Sequence, residues 1–154
     1  MKNYTSKAQQ VVLIIATLLI TLFFYTAISK LLDTEEFKRQ LANQTLPKWS
    51  VSPLLWIIPI SEILVSALLI AESTRRIGFY FSTILMLVFT TYMGLVLLNV
   101  FDRVPCSCGG VIKYMNFSTH FLFNLFFLAL SVIGLYISKN QKKGGLRPSS
   151  EISN

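Results

Sequence analysis

The chain has 154 residues, of which 53% are hydrophobic, with twelve phenylalanines, a mean hydropathy of +0.60 and a formal charge of +7. That length suits one domain, and that apolar content is too high for a soluble globule, so the composition points to a membrane protein. The lysines and arginines are scattered over termini and loops instead of gathered on one face, which argues against nucleic-acid binding.

Four apolar runs are long enough to cross a hydrocarbon layer of ~30 Å at ~20 residues per helix. The first, Val11 to Ile28, contains no charge. Its basic start resembles a signal peptide, but the apolar core is long and no A-x-A site follows, so it reads as a retained helix. Between the first and second runs, Leu31, Leu32, Phe37 and Leu41 recur among charges at the spacing of an amphipathic helix lying in the headgroup plane, with Asp33 or Thr34 as its cap. Trp49 and Trp56 are placed as interfacial anchors around the start of the second run, Pro53 to Ala71. The link ESTRR is short, so the second and third helices are antiparallel neighbours. The third run spans Ile77 to Phe101 and the fourth Phe117 to Ser138. Each amide in hydrocarbon must be paired within its own segment, so all four runs are expected to be helices. The fold class is therefore all-α, an integral membrane four-helix bundle over residues 1–138. The remainder, 139–154, is polar, Gly/Ser-rich and without periodicity, as in a disordered cytoplasmic tail whose basic residues meet anionic lipid.

Four spans put both termini on one side. Lys2, Lys7, Arg75, Arg76, Lys139, Lys142, Lys143 and Arg147 outnumber Lys30, Lys38, Arg39, Lys48, Arg103 and Lys113 on the other. The excess favours cytoplasmic termini, which puts the amphipathic helix and the loop before the fourth span outside, in the periplasm of a Gram-negative cell. A bacterial inner membrane is the expected location.

That last loop, RVPCSCGGVIK, holds both cysteines, Cys106 and Cys108. A disulfide across one residue is strained and closes almost no loop, which suits a donor of oxidising equivalents better than a structural cross-link. Arg103 and Lys113 would favour a thiolate, and Gly109 and Gly110 leave a low-walled approach for another protein's thiol. Two plainer readings stand beside this one: small buried hydrophobes, or part of a metal site. For a metal, Cys106, Cys108 and the single histidine, His120, are too few ligands, and no metal is expected.

Glu62 lies about nine residues inside the second span, near the bilayer midplane, where an ionisable group is costly and by default points to function. Tying helices together, with Pro59 leaving a carbonyl free for polar bridging, is the alternative role. Counted from the same surface, Thr90, Thr91 and Tyr92 reach a similar depth; His120 and Asn124 share one face of the fourth helix, and Ser29 and Lys30 close the first. Each of these often merely knits membrane helices. Together they form a polar lane descending from the cysteine loop, suited to a quinone head group, with Glu62, Tyr92, His120 and Asn124 as its binding residues.

The order ISKLLDTEEF, LP, PISEILVSALLI, GFYFSTILMLVFTTY, PCSCGG and HFLFN resembles the MauE branch of the DoxX-like membrane proteins, over roughly residues 20–135. The family's cysteine box usually reads C-G-C-F-G where this chain has C-S-C-G-G, a change that alters loop shape while keeping both thiols. Lys30, Glu62 and Asn124 fall where the family pattern also has polar residues. The resemblance implies a bundle similar in outline to DsbB and vitamin K epoxide reductase, and a part in disulfide formation or electron transfer on exported proteins. MauE itself looks like a maturation factor for a disulfide-rich periplasmic dehydrogenase subunit, and DoxX-type relatives are associated with quinone-linked sulfur oxidation. Well-understood disulfide generators carry two cysteine pairs and this chain has one, so Cys106 and Cys108 serve both exchanges or rely on a thioredoxin-like partner. The leading expectation is a membrane thiol-disulfide oxidoreductase. In it Cys106 exchanges with a periplasmic client, Cys108 resolves the mixed disulfide, and a quinone carries electrons away. A non-catalytic subunit or maturation chaperone of an envelope complex is the alternative, and a small-molecule or lipid carrier ranks last, since the broken-helix repeats of a transporter are absent.

Overall fold

The computed structural model describes residues 7–44, 47–98, 100 and 117–144; Cys106 and Cys108 lie outside the described residues. The described residues are helical throughout apart from short links, and contain no strand. Helix α1 spans Lys7–Leu32, α2 Thr34–Ala42, α3 Val51–Ile70, α4 Arg75–Leu97 and α5 Phe117–Gly144, with one 3₁₀ turn at Lys48–Ser50 leading into α3. The four long helices are each long and apolar enough to cross a membrane. The chain is a multi-pass membrane protein built as a four-helix bundle.

Local chemistry explains the boundaries. After α1, the Asp33 carboxylate accepts a hydrogen bond from the Glu36 amide at 3.2 Å, so Asp33 is the cap that starts α2. The Arg39–Glu36 ion pair braces its exposed side, and a 3.2 Å bond from Nε2 of the buried Gln40 to Glu36 Oε1 adds a second contact one turn apart. Pro59 sits inside α3, where its missing N–H frees the carbonyl one turn earlier. Threonines along the long helices return their hydroxyls to carbonyls on the preceding turn, Thr17 to Leu13 at 2.9 Å and Thr83 to Phe79 at 2.8 Å, so they cost little in hydrocarbon. Two ends differ from the sequence reading. Helix α4 stops at Leu97, short of Phe101, with the Leu98 amide closing onto Gly94 and Val96 carbonyls. Helix α5 runs on to Gly144, into the segment expected to be a disordered tail, because residues 139–143 are polar but contain good helix formers and no proline.

Buried residues on α1 recur at Val12, Ile15, Ala16, Leu19, Phe23, Ala27 and Lys30, the three-and-four spacing of a single inward face. The apolar core joins most of that face to Val65 and Leu69 of α3 and to Phe79 and Met86 of α4. It fills the half of the bundle nearest the 71–74 link. There Gly78 lets α4 approach α3 so closely that a Cβ would lie 2.9 Å from the Leu68 carbonyl carbon and the Leu69 nitrogen. Gly134 of α5 likewise receives the fully buried Phe79 ring. Elsewhere the helices present large apolar side chains outward, including Ile14, Phe24, Leu64 and Phe126, as expected of surfaces that face lipid.

Candidate functional site: a polar-ended cavity beneath helix α2

At the opposite end from the 71–74 link, packing gives way to a cavity of about 280 Å³. Helix α2 roofs it with Phe37, Gln40 and Leu41, joined by Gln44 just past its end; α1 contributes Phe23, Thr26 and Lys30, and α3 contributes Leu54, Ile58 and Glu62. Phe89 and Tyr92 of α4 and His120, Phe123 and Asn124 of α5 complete the wall. Val88 of α4, one of its lining residues, is itself 57% exposed at the outer surface of the bundle.

Its polar end is organised by an ion pair. Lys30 Nζ donates to Glu62 Oε1 at 2.6 Å, with Lys30 6% and Glu62 1% exposed. A contact this short is a charge-assisted hydrogen bond in a water-poor setting, where it is stronger than at a surface. The ammonium also lies 5.8 Å from the Phe37 ring centroid, within cation–π range, so the same group ties α1 to both α3 and the roof. One acceptor is left over. Glu62 Oε2 has no hydrogen-bond partner among the described residues, since the nearby Thr26 hydroxyl donates to the Phe23 carbonyl at 3.1 Å. Below the pair, the Ser66 hydroxyl donates to the Glu62 carbonyl at 2.9 Å and takes no part in the cavity.

The pairing revises the depths read from sequence. Counting from the outer surface puts Lys30 at the rim and Glu62 near the midplane, yet the two are in contact. Glu62 is eleven residues beyond Val51, so about three turns of α3 protrude past the level of the ion pair. Helix α2 packs beside that protruding part, burying Phe37 and Leu41, and this layer makes the cavity.

Of the residues singled out in the sequence, Glu62, Tyr92, His120 and Asn124 all line the cavity, with His120 and Asn124 buried on one face of α5. Lys30 joins them. Thr90 does not, because its hydroxyl is bonded to the Met86 carbonyl at 2.6 Å, and Thr91 is turned outward. Ser29 is also outside the lining. The roof residues Gln40 and Gln44 went unread in the sequence, although the amphipathic spacing around Phe37 and Leu41 already put Gln40 on the inward side. Cys106 and Cys108 belong to the segment between α4 and α5, whose flanking helices carry Tyr92 and His120 into the cavity.

Residues 8–137 match the model of a family described as methylamine utilisation protein MauE. The chain belongs to the MauE family. The match runs from the first turn of α1 to within α5 and so takes in every element that contributes to the cavity. No curated protein and no solved structure matches the chain.

Proposed function

We propose that this MauE-family protein is a membrane thiol-disulfide redox protein that passes electrons between exported proteins and a quinone-type carrier held in the cavity. The observation that carries the reading is the form of that cavity, polar around the buried Lys30, Glu62, His120 and Asn124 and apolar toward Val88 at the bundle surface. A lipid-borne redox carrier is built the same way, with a polar ring and an apolar tail. Glu62 Oε2, without a partner among the described residues, supports the fit, because buried acceptors are normally satisfied.

In this reading Cys106 and Cys108 do the thiol chemistry. A client thiolate attacks one sulfur of the Cys106–Cys108 disulfide, and a second client thiol displaces the mixed disulfide. The client gains a disulfide and this chain is left with two thiols. The two electrons and two protons then leave the pair, restoring its disulfide. A quinone, when bound, supplies the sink for both. Lys30 and Glu62 orient its head group, His120, Asn124 and Tyr92 offer further hydrogen-bonding partners, and Phe37 and Phe123 exclude water. The outer face of a bacterial inner membrane, with an exported client or a thioredoxin-like intermediary, is the setting this chemistry requires.

The test is trapping. Full-length Cys106→Ser and Cys108→Ser proteins, produced in cells, should accumulate reductant-sensitive adducts with an exported protein. The absence of any adduct, together with normal oxidation of exported proteins in the double variant, would favour a non-catalytic maturation subunit.

A further inference from the structure

Among the described residues, Glu62 commits one carboxylate oxygen to Lys30 and leaves the other without a partner, and Lys30 and Glu62 both line the cavity. A carboxylate accepts hydrogen bonds and donates none, so a ligand group that satisfies Oε2 must bring a hydrogen. An ammonium has three donors, and the one hydrogen bond that Lys30 makes among the described residues leaves it able to serve a ligand oxygen as well. The pair therefore asks for an oxygen that donates to Glu62 Oε2 while accepting from Lys30 Nζ. A hydroxyl does both, whereas a ring carbonyl can only accept.

We infer that the Lys30–Glu62 pair makes this cavity selective for the reduced, hydroxyl-bearing form of its carrier, so that it holds a quinol more tightly than the corresponding quinone. This rests on the proposal that the cavity takes a quinone-type carrier, and it adds the direction of the preference and the residues that set it. Binding the oxidised form leaves a fully buried charged acceptor without a partner, a penalty that corresponds to roughly tenfold or more in affinity. By the thermodynamic cycle linking the two forms, the bound couple then has a higher midpoint potential than the free one, about 30 mV for each tenfold in affinity for a two-electron couple. Reduction of the carrier takes two electrons and two protons, both supplied by the Cys106 and Cys108 thiols as they close to a disulfide. The cavity thus biases electron flow away from the cysteines.

The experiment uses the full-length protein in lipid nanodiscs, with ubiquinol-2 and ubiquinone-2 titrated separately under anaerobic conditions and bound ligand quantified after separation. The expected result is quinol binding at least tenfold tighter than quinone, with Glu62→Gln bringing the two within about twofold, since its amide can offer a hydrogen to a carbonyl. Folding of the variant is checked by monodisperse elution and its melting curve, and the wild-type ratio stands as a test without it. Equal affinities in the wild type, or tighter quinone binding, overturn the inference and leave the carrier site standing. An unchanged ratio in a folded Glu62→Gln protein also overturns it, by removing the assignment to Glu62. Failure of both forms to bind overturns the inference and the carrier reading together.

Discussion

The two ends of this bundle are built on opposite terms. Toward the 71–74 link, Gly78 and Gly134 remove side chains so that α3, α4 and α5 come together over the Phe79 ring, and the small residues Ser82 and Ser131 are completely buried nearby. Toward α2, the helices stand apart around a cavity, and an acid and a base are buried where apolar side chains would pack. In lipid there is little hydrophobic drive between apolar helices, so close fit holds the first end together. The second end gives up that fit and relies on one ion pair and a nine-residue helix. Such an exchange of packing for polarity makes sense where the space between helices has a use.

Breaking the pair is the strongest test of this contrast. Lys30→Met leaves Glu62 as an uncompensated buried charge, and Glu62→Leu does the same to Lys30; each should cost about 3–5 kcal/mol. The double variant should recover most of that loss, because a well-packed apolar pair removes the desolvation cost of both ions. Unfolding of the four proteins in a common detergent gives the coupling energy directly. Single variants within ~0.5 kcal/mol of wild type, the usual range of inconsequential substitutions, would show that the pair carries no weight. A stable double variant that no longer retains ubiquinol-2 would show that the charges serve the ligand and not the fold.

The packed end should respond in the opposite way. Gly78→Ala sets a methyl group against the backbone at Leu68 and Leu69, which cannot move aside without parting the helices. Gly134→Ala overlaps the Phe79 ring, which is enclosed on all sides. Overpacking of this kind costs about 1–3 kcal/mol. Both substitutions lie far from the cavity lining, so ubiquinol-2 affinity should remain within about twofold of wild type in any variant that still folds. A loss of ligand binding that outruns the loss of stability would mean that the two ends are not independent.

Which parts were readable in the sequence follows from what a single chain can encode. The uncharged runs beginning near Val11 and Ile77 announce helices whatever surrounds them, and the amphipathic pattern at Phe37 and Leu41, with an Asp33 cap, reads locally. Glu62, Tyr92, His120 and Asn124 are conspicuous because a polar group inside an apolar run is costly unless it has a partner or a use. Partnership across helices is less legible. Counting residues from a common surface assumes that every helix starts at one plane, and α3 does not; its first three turns pass α2 before they reach the level of Lys30. Complementary charge was the available signal, since Glu62 inside the second run and Lys30 just past the end of the first are an acid and a base that each need a counter-charge. Thr90 and Thr91 misled for a related reason: threonine hydroxyls in helices are often satisfied by their own preceding turn, as Thr90 is.

The smallest effect distinguishes a roof from a bystander. Helix α2 has nine residues, too few to be stable alone, so its cap and its docked face must hold it. Removing the cap with Asp33→Ala should cost about 1 kcal/mol. That loss falls on the first turn of α2 and leaves the Lys30–Glu62 contact unaltered. The expected outcome is faster amide exchange across Thr34–Ala42, little change in global unfolding, and faster release of ubiquinol-2 with a nearly unchanged association rate. A bound ligand then escapes more easily past a frayed roof, as it must if Phe37 and Gln40 close over it. Faster exchange in α2 with no change in release would instead show that ligand leaves by a route other than the roof, leaving α2 the role of holding Lys30 in place through Phe37.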